Sequence, residues 1–304
     1  MPIVVALHPG AHKTGTSLIQ KFMRDRPQEM QQMRAVAIPR GDCSTLIGWG
    51  QVPRDRPELL REAVVAAAGG QGAPTAARGR HPSRWWRSAP RPPRTVIVSH
   101  ENSLGPPFLS RTPGLYPTAR ECAQAIASSL AEMDLRVIYY IRSQEDFLES
   151  YYLQTVHQGG TATFEEWVSQ LDVPSLSWAP AVTALGEVFG AGRVMVRDFA
   201  EIRRGQNEFL SSFLRSCDPG LDPSVDYRPR RNISVSQQGL DLALAMNPLL
   251  RTPEERKAVR TFLQANFSNT TGPRPLLLGE AARADLRRRF QAENQDLLRQ
   301  FPGP

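Results

Sequence analysis

The sequence predicts an α/β fold with a parallel sheet flanked by helices and a mostly helical C-terminal third. Short apolar segments typical of buried strands recur along the first two thirds of the chain, and segments with helical periodicity separate them. The chain has 304 residues, of which 40% are hydrophobic, enough to bury a sizeable core. Strands that alternate with helices form parallel sheets covered on both faces, so we expect a single domain over residues 1–304.

The predicted strands are short and apolar, and they cover residues 3–7, 35–38, 95–99, 135–141 and 193–197. The predicted helices cover residues 15–33, 57–68, 117–133, 143–157, 164–171, 178–189, 207–217, 237–247, 254–267 and 279–299. Pro39-Arg40-Gly41-Asp42 is interpreted as a turn. Ser143 followed by Asp146 is interpreted as a capping box at the start of its helix.

Residues 71–94 interrupt this pattern and are interpreted as a loop insertion, because they are rich in Gly, Ala, Pro, Arg and Ser. Their centre is Arg84-Trp85-Trp86-Arg87. We favour a loop that packs both indoles onto the protein, and a lip that binds an acceptor or an anionic surface stays open. The segment holds six arginines and no acid, so the net charge of +7 is nearly balanced without it.

Composition excludes several classes of protein. The chain has no run of 18 apolar residues, so no transmembrane segment is expected, and its start does not resemble a signal peptide. Three widely spaced cysteines fit neither a disulfide framework nor a zinc site and suit a reducing, cytoplasmic location. We expect no metal site and no nucleic-acid partner, and the oligomeric state stays open.

The most informative motif follows the first predicted strand, and it is Gly10-Ala11-His12-Lys13-Thr14-Gly15-Thr16-Ser17. A strand, a glycine-containing loop and a helix in this order form a cradle for an anion, since backbone N–H groups and the positive end of the helix dipole converge. Lys13 adds a full charge, and three hydroxyl side chains add donors. A turn that merely caps a helix is the alternative.

The loop differs from the phosphate loop of nucleotide triphosphatases in an informative way. Gly10 and Gly15 have the spacing of G-x-x-x-x-G-K-[ST], but Thr16 occupies the position of the lysine. Lys13 lies two residues before Gly15 instead. The loop is therefore expected to bind phosphate, while the hypothesis that it binds ATP with a metal ion loses support.

Lys13-Thr14-Gly15-Thr16-Ser17 after a strand resembles the 5′-phosphosulfate loop of sulfotransferases that use 3′-phosphoadenosine-5′-phosphosulfate (PAPS). The resemblance implies a P-loop-NTPase-like fold in which Lys13 contacts the phosphosulfate and stabilises the leaving phosphate. It also makes His12, Thr14, Gly15, Thr16 and Ser17 part of the cofactor-binding loop. For His12, contact with the acceptor or sulfuryl group and a purely structural role stay equally open.

A second motif joins Arg142, at the end of a predicted strand, with Ser150, eight residues later in a helix. The pair resembles the 3′-phosphate motif of sulfotransferases, in which the arginine makes a charge-assisted contact and the serine donates a hydroxyl. Residues 178–197 also look like bacterial members of this superfamily, so the resemblance covers scattered blocks from residue 3 to 200. Arg230 and Arg231 could close over the 3′-phosphate, although an exposed basic loop is the favoured interpretation.

The candidate general base lies at the end of the predicted strand 95–99. Side chains at the carboxyl ends of parallel strands face the ligand crevice, which places His100 and Glu101 beside the loop. Glu101-Asn102-Ser103 resembles the Glu-Lys-Ser of heparan-type sulfotransferases, with Asn102 in place of the lysine. We favour Glu101 as the base over His100, whose usual pKa lies closer to neutrality. Structural hydrogen bonding by both residues stays open.

These observations predict a sulfotransferase that transfers a sulfuryl group from PAPS to a hydroxyl of a carbohydrate, lipid or small metabolite. The product of the donor would be adenosine 3′,5′-bisphosphate (PAP). Two alternatives stay open: a P-loop kinase or NTPase, and a non-catalytic protein that binds an anion or a glycan on the same fold.

Overall fold

A computed structural model describes residues 3–48, 58–69, 92–109, 112–228 and 234–303. The chain divides into two compact units. The first unit comprises residues 1–142, 178–228 and 293–304, and the second comprises residues 143–177 and 229–292. A single domain over the whole chain stays a prediction.

The first unit contains a five-stranded sheet built from the described residues. Its strands are β1 (Val4–His8), β2 (Ala35–Ala37), β3 (Thr95–Ser99), β4 (Asp134–Ile141) and β5 (Val194–Asp198). They are parallel throughout, in the order β2-β3-β1-β4-β5. β1 is buried along its whole length at the centre. The predicted α/β class, with a parallel sheet flanked by helices, is confirmed.

The helices within the described ranges follow in chain order. They are α1 (Thr16–Asp25), α2 (Pro27–Gln32), α3 (Arg40–Ile47), α4 (Glu58–Ala67), α5 (Ala119–Ser129), α6 (Gln144–His157), α7 (Phe164–Val168), α8 (Ala179–Phe189), α9 (Gln206–Cys217), α10 (Gln237–Met246), α11 (Pro253–Asn266) and α12 (Glu280–Gln300). Short 3-10 turns occur at Val173–Ser175, Ala191–Arg193, Phe199–Arg204 and Asn247–Leu249.

Each unit has its own apolar core. In the first, α1 and α9 pack against the sheet through residues such as Ile19, Phe22, Phe209 and Phe213. These large side chains are almost fully buried, so they fix where α1 begins relative to the end of β1. In the second, a separate cluster is formed by residues of α6, α7, α10 and α11, among them Tyr152, Phe164, Leu240 and Leu263, together with Val235 just before α10.

Two local predictions were wrong near β2. The helix expected over residues 15–33 divides at Arg26, because Pro27 begins a new helix where its missing N–H costs nothing. The turn expected at residues 39–42 is instead the start of α3, in which Pro39 is the N-cap and its carbonyl accepts from the N–H groups of Asp42 and Cys43.

The capping box expected at Ser143 does not form. Ser143 is the N-cap of α6, but its side chain makes no capping bond. Asp146 pairs with Arg283 of the second unit at 2.5 Å instead. This charge-assisted pair between two ionised side chains accounts for the direction of the Asp146 side chain.

The proposed insertion centred on Arg84-Trp85-Trp86-Arg87 lies mainly outside the described residues, as do Arg230 and Arg231. No helix within the described ranges is both long and apolar enough to cross a membrane.

Candidate anion-binding site

The candidate site lies at the carboxyl edge of the sheet in the first unit. β1 pairs with β3 on one side and β4 on the other, so the chain leaves these three neighbouring strands at the same edge. The predicted loop follows β1, His100 and Glu101 follow β3, and Arg142 follows β4. Topology therefore brings the loop between the two candidate bases and the candidate arginine.

The loop backbone turns three times through left-handed conformations, at Gly10 (φ 57°), Lys13 (φ 64°) and Gly15 (φ 87°). A Cβ added to Gly10 would lie 3.3 Å from Cα of Glu101, and one added to Gly15 would lie 2.9 Å from the ring of Phe199. A side chain at Gly15 would therefore clash with an aromatic ring, and one at Gly10 would be tightly packed against Glu101. Lys13 adopts a conformation that is uncommon for a residue with a side chain, and such conformations cluster at functional sites.

Helix α1 begins with unused hydrogen-bonding capacity. Its N-cap is Gly15, no side chain of the described residues caps it, and its first turn contains no acid. Thr14 is buried and donates its hydroxyl to the carbonyl of Ala11 at 2.7 Å. The Thr16 hydroxyl is also buried, with 5% of the residue exposed, yet it has no hydrogen-bond partner among the described residues. An anion at this helix start would supply what the chain does not.

Two predicted cations meet at this loop. Nη1 of Arg142 donates to the carbonyl oxygen of Lys13 at 3.0 Å, and its guanidinium lies 5.4 Å from the ring centroid of Phe199. Burial lowers the pKa of Lys13, and the charge of Arg142 lowers it further. A half-buried ammonium beside a guanidinium is electrostatically unfavourable, so a negative ligand here would be bound strongly.

Glu101 is engaged by two side chains. Arg40, at the start of α3, donates to Oε1 at 2.5 Å, and Gln20 of α1 donates to Oε2 at 3.2 Å. Burial acts to raise the pKa of the Glu101 carboxyl, but the hydrogen bond from Arg40 and its charge outweigh burial and leave this pKa below its usual range. Glu101 is therefore a carboxylate at neutral pH. Arg40 was missed from the sequence because residues 39–42 were interpreted as a turn.

His100 uses both of its ring nitrogens within the protein. Nδ1 accepts from the backbone N–H of Asn102 at 3.2 Å, so the proton of the neutral ring lies on Nε2, which is 2.8 Å from Oγ of Ser44. Burial lowers the pKa of His100 against an opposing effect of Glu101, and Arg40 adds to the lowering. With 2% of the residue exposed, His100 forms part of the wall of the site.

His12 is held by an aromatic residue that the sequence did not single out. Its backbone N–H donates to Oη of Tyr116 at 2.6 Å, and its Nδ1 lies 2.7 Å from the same oxygen. Burial lowers the pKa of His12 to about 4 against the opposing effect of Glu101. Tyr116 lies in the irregular connection between β3 and α5, and no spacing rule links it to a loop 104 residues earlier.

A second missed residue is His8, the last residue of β1. Its Nδ1 lies 2.9 Å from Oγ of Ser99, while its Nε2 is buried without a partner among the described residues. The ring packs against Tyr140 and Phe213, and burial lowers its pKa to about 4. His8 is therefore neutral and lies among core residues beneath the loop.

The remaining predicted site residues are Ser17 and Ser150. Ser17 is exposed in the first turn of α1, where its hydroxyl is open to a ligand. Ser150 is half-buried on α6 and belongs to the second unit, so its role as a phosphate ligand stays a prediction. In the part of the chain that the structure describes, no group of three or more His, Cys, Asp or Glu residues could hold a metal ion.

Comparison with solved structures finds a sulfotransferase from Alicyclobacillus acidocaldarius, with 16% sequence identity and a TM-score of 0.39. The similarity covers 86% of this chain and 96% of that one. No family model matches the sequence, and no curated protein matches it.

Proposed function

We propose that this protein is a PAPS-dependent sulfotransferase that transfers a sulfuryl group to a hydroxyl of a carbohydrate, lipid or small metabolite. The observation that carries the proposal is the start of α1, where a buried Thr16 hydroxyl without a partner among the described residues lies beside Lys13 and an uncapped helix terminus. These groups donate hydrogen bonds or carry positive charge, as a phosphosulfate group requires.

In this proposal PAPS supplies an activated sulfuryl group whose bond to the bridging phosphate oxygen breaks as the acceptor oxygen binds sulfur. Lys13 stabilises the negative charge that develops on the departing oxygen, because its ammonium is already desolvated. Thr16, Ser17 and the N–H groups of the first turn bind the 5′-phosphate. Arg142 and Ser150 would hold the 3′-phosphate, an assignment that rests on the sequence resemblance.

The acceptor hydroxyl must lose its proton as the new bond forms. We propose Glu101 as the group that takes this proton, because it is ionised and its Cα closely approaches Gly10 of the loop. His100 is the weaker candidate, since its Nδ1 accepts from a backbone N–H and its Nε2 contacts Ser44. Arg40 is 58% exposed at its side chain and would have to release Glu101 when the acceptor binds.

The pair between Arg40 and Glu101 also favours a second candidate, a protein that binds the same anion without catalysis. A carboxylate held by arginine and glutamine is a weaker base than a free one. This candidate shares the anion site with the sulfotransferase and differs only in lacking turnover. A kinase or NTPase has less support, because Thr16 stands where those enzymes have their lysine.

The test begins with the thermal midpoint of the protein alone, with adenosine 3′,5′-bisphosphate, and with ADP plus Mg²⁺. At a hundred times its dissociation constant, a ligand stabilises the folded state by ~2.7 kcal/mol. For a chain of this size this raises the midpoint by roughly 5 °C. We expect this shift with the bisphosphate and little with ADP plus Mg²⁺; a shift confined to ADP plus Mg²⁺ would overturn the proposal.

Turnover is tested next with PAPS labelled in its sulfuryl group and a panel of hydroxyl acceptors that includes sugars, lipids and phenols. Transfer of label that is lost in Glu101→Gln supports the enzyme. Binding of the bisphosphate without transfer to any acceptor supports the non-catalytic candidate. Glu101→Asp, which keeps the carboxylate, is the matched control.

A further inference from the structure

The contact between Tyr116 and the loop is unusually specific for a residue in an irregular connection. The Tyr116 oxygen accepts from the backbone N–H of His12 at 2.6 Å and lies 2.7 Å from Nδ1 of the same residue. Both residues are buried, with 1% of Tyr116 and 4% of His12 exposed. One hydroxyl therefore fixes the backbone and the ring of His12 at once.

Tyr116 is itself held between two aromatic rings. It stacks on His12 with the ring centroids 5.9 Å apart, and on Trp178 with the centroids 6.1 Å apart. Trp178 donates its indole N–H to the carbonyl oxygen of Arg142 at 2.7 Å. The backbone of Tyr116 has a left-handed φ of 55°, which a bulky residue adopts only where its surroundings impose it. The stacked rings of His12, Tyr116 and Trp178 thus connect the loop with the end of β4 at Arg142.

The Tyr116 hydroxyl also bears on where the proton of the His12 ring lies. Its oxygen already accepts the backbone N–H of His12, and a hydroxyl that accepts one hydrogen bond donates its own O–H more strongly. A neutral imidazole has one N–H, which leaves the other nitrogen as an acceptor. Donation of the Tyr116 O–H to Nδ1, 2.7 Å away, therefore places the ring proton on Nε2.

We propose that Tyr116 is a positioning residue that donates its O–H to Nδ1 of His12 and so holds this ring in the neutral tautomer with its proton on Nε2. The loop then carries a neutral imidazole N–H donor whose ring orientation Tyr116 fixes. Its use in sulfuryl transfer rests on the proposed function, whereas the tautomer does not.

The experiment is nitrogen NMR of the full chain labelled with ¹⁵N in its five histidine rings, recorded near neutral pH without ligand. Protonated and unprotonated ring nitrogens have well-separated shifts, so the spectrum reports each tautomer directly. The signals of His12 are identified by their loss in His12→Gln. We expect His12 to show a protonated Nε2 and an unprotonated Nδ1. A protonated Nδ1 in the wild-type protein would by itself overturn the proposal.

Tyr116→Phe removes the hydroxyl and keeps the stacked ring. We expect the single-tautomer pattern of His12 to be lost in this variant, because Nδ1 no longer has its donor. The matched control is Tyr139→Phe: Tyr139 is buried against both Tyr116 and Trp178, and its hydroxyl has no hydrogen-bond partner among the described residues. That variant should leave the His12 pattern unchanged, and an unchanged pattern in Tyr116→Phe would refute the positioning role.

The same samples separate this proposal from the proposed function. If His12 shows the expected tautomer but adenosine 3′,5′-bisphosphate does not shift any signal of the loop, the proposed function fails and the positioning role stands. If the bisphosphate binds while His12 carries its proton on Nδ1, the positioning role fails and the proposed function stands.

Discussion

Helix α1 starts differently from helices α7 and α11. The latter two have complete capping boxes, Thr163 with Glu166 and Thr252 with Glu255. In each box the threonine hydroxyl accepts a backbone N–H at 3.1–3.2 Å, and the glutamate accepts the N–H of the threonine at 2.8–3.0 Å. Both helices also carry two acids in their first turn. The start of α1 has neither device within the described residues.

The difference shows how one chain treats two kinds of helix start. At α7 and α11 the chain satisfies terminal N–H groups with its own oxygen atoms and places negative charge against the helix dipole. At α1 it places a lysine, two glycines and a buried hydroxyl instead. The unsatisfied groups at the start of α1 therefore lower the free energy of unfolding of the protein without ligand, and a bound anion would raise it again.

The largest expected effect is that of Lys13→Met. We expect the affinity for adenosine 3′,5′-bisphosphate to fall about 10- to 100-fold, the range for losing a charged hydrogen bond. The protein without ligand should melt at a higher temperature, because burial and Arg142 disfavour the Lys13 charge and so lower its pKa. Calorimetric titration and thermal unfolding measure the two effects, and Lys21→Met in helix α1 is the control, expected to leave affinity nearly unchanged.

The lowered pKa of Lys13 also predicts how protein stability and bisphosphate affinity depend on pH. In the empty protein the disfavoured charge costs stability below the folded pKa, and this cost falls steadily as the pH rises from the folded pKa to the ordinary lysine value. Bisphosphate binding needs the charged form, so its affinity should decline at a pH below the ordinary lysine value in wild type. Titrations from neutral to alkaline pH would show this decline, and the same pH dependence in Lys13→Met would argue against Lys13 as its source.

The next effect separates two neighbouring threonines. Thr16→Val removes a buried hydroxyl without a partner among the described residues, so it should raise the free energy of unfolding of the empty protein by about 1 kcal/mol. It should also weaken bisphosphate binding about fivefold, by loss of one hydrogen bond. Thr14→Val breaks the bond to Ala11 and should lower the free energy of unfolding by about 1 kcal/mol. Denaturant titrations measure both changes. If the two substitutions change the free energy of unfolding in the same direction, the proposed difference between the two threonines is wrong.

Thr252→Ala tests the capped helix start. Loss of the cap of α11 should lower the free energy of unfolding by about 1 kcal/mol and leave the bisphosphate affinity unchanged. Thr252→Ser, which keeps a capping hydroxyl, should restore most of the stability. A change in affinity for Thr252→Ala would show that the cap of α11 and the anion site are energetically coupled.

The smallest effect is that of Ser17→Asp, which gives α1 the acid that its first turn lacks. The exposed carboxylate should stabilise the empty protein by about 0.5 kcal/mol through the helix dipole and weaken bisphosphate binding by repulsion. Ser17→Asn has a similar shape without the charge. Thermal midpoints and affinities at low and high salt would show whether the difference between the two variants is electrostatic, since salt should reduce it.

The sequence was sufficient to predict the parts of the site that are local in the chain. The strand, loop and helix around Lys13 and the positions of Glu101 and Arg142 at strand ends follow from apolar runs and from the geometry of parallel sheets. The pairing of Glu101 with Arg40 could not be predicted, because 61 residues separate them and α3 was interpreted as a turn.

Tyr116 could not be predicted for a similar reason. Its contact with His12 depends on where the connection between β3 and α5 folds back, which no periodicity encodes. The capping box predicted at Ser143 failed for the opposite reason. The local pattern was present, but Asp146 pairs with the distant Arg283 instead. Local rules located the loop, and long-range pairs determine the state of each side chain in it.

The central position of β1 has a consequence for how the protein is made. β1 is synthesised before both of its neighbours in the sheet, because Val4 pairs with Thr95 on one side and Asp134 on the other. The nascent chain must therefore keep a mostly apolar strand unpaired until more than 90 further residues have been synthesised. Both neighbours of β1 exist only once synthesis has passed Ile141, so the loop that follows β1 reaches its final surroundings only after β4 has been made.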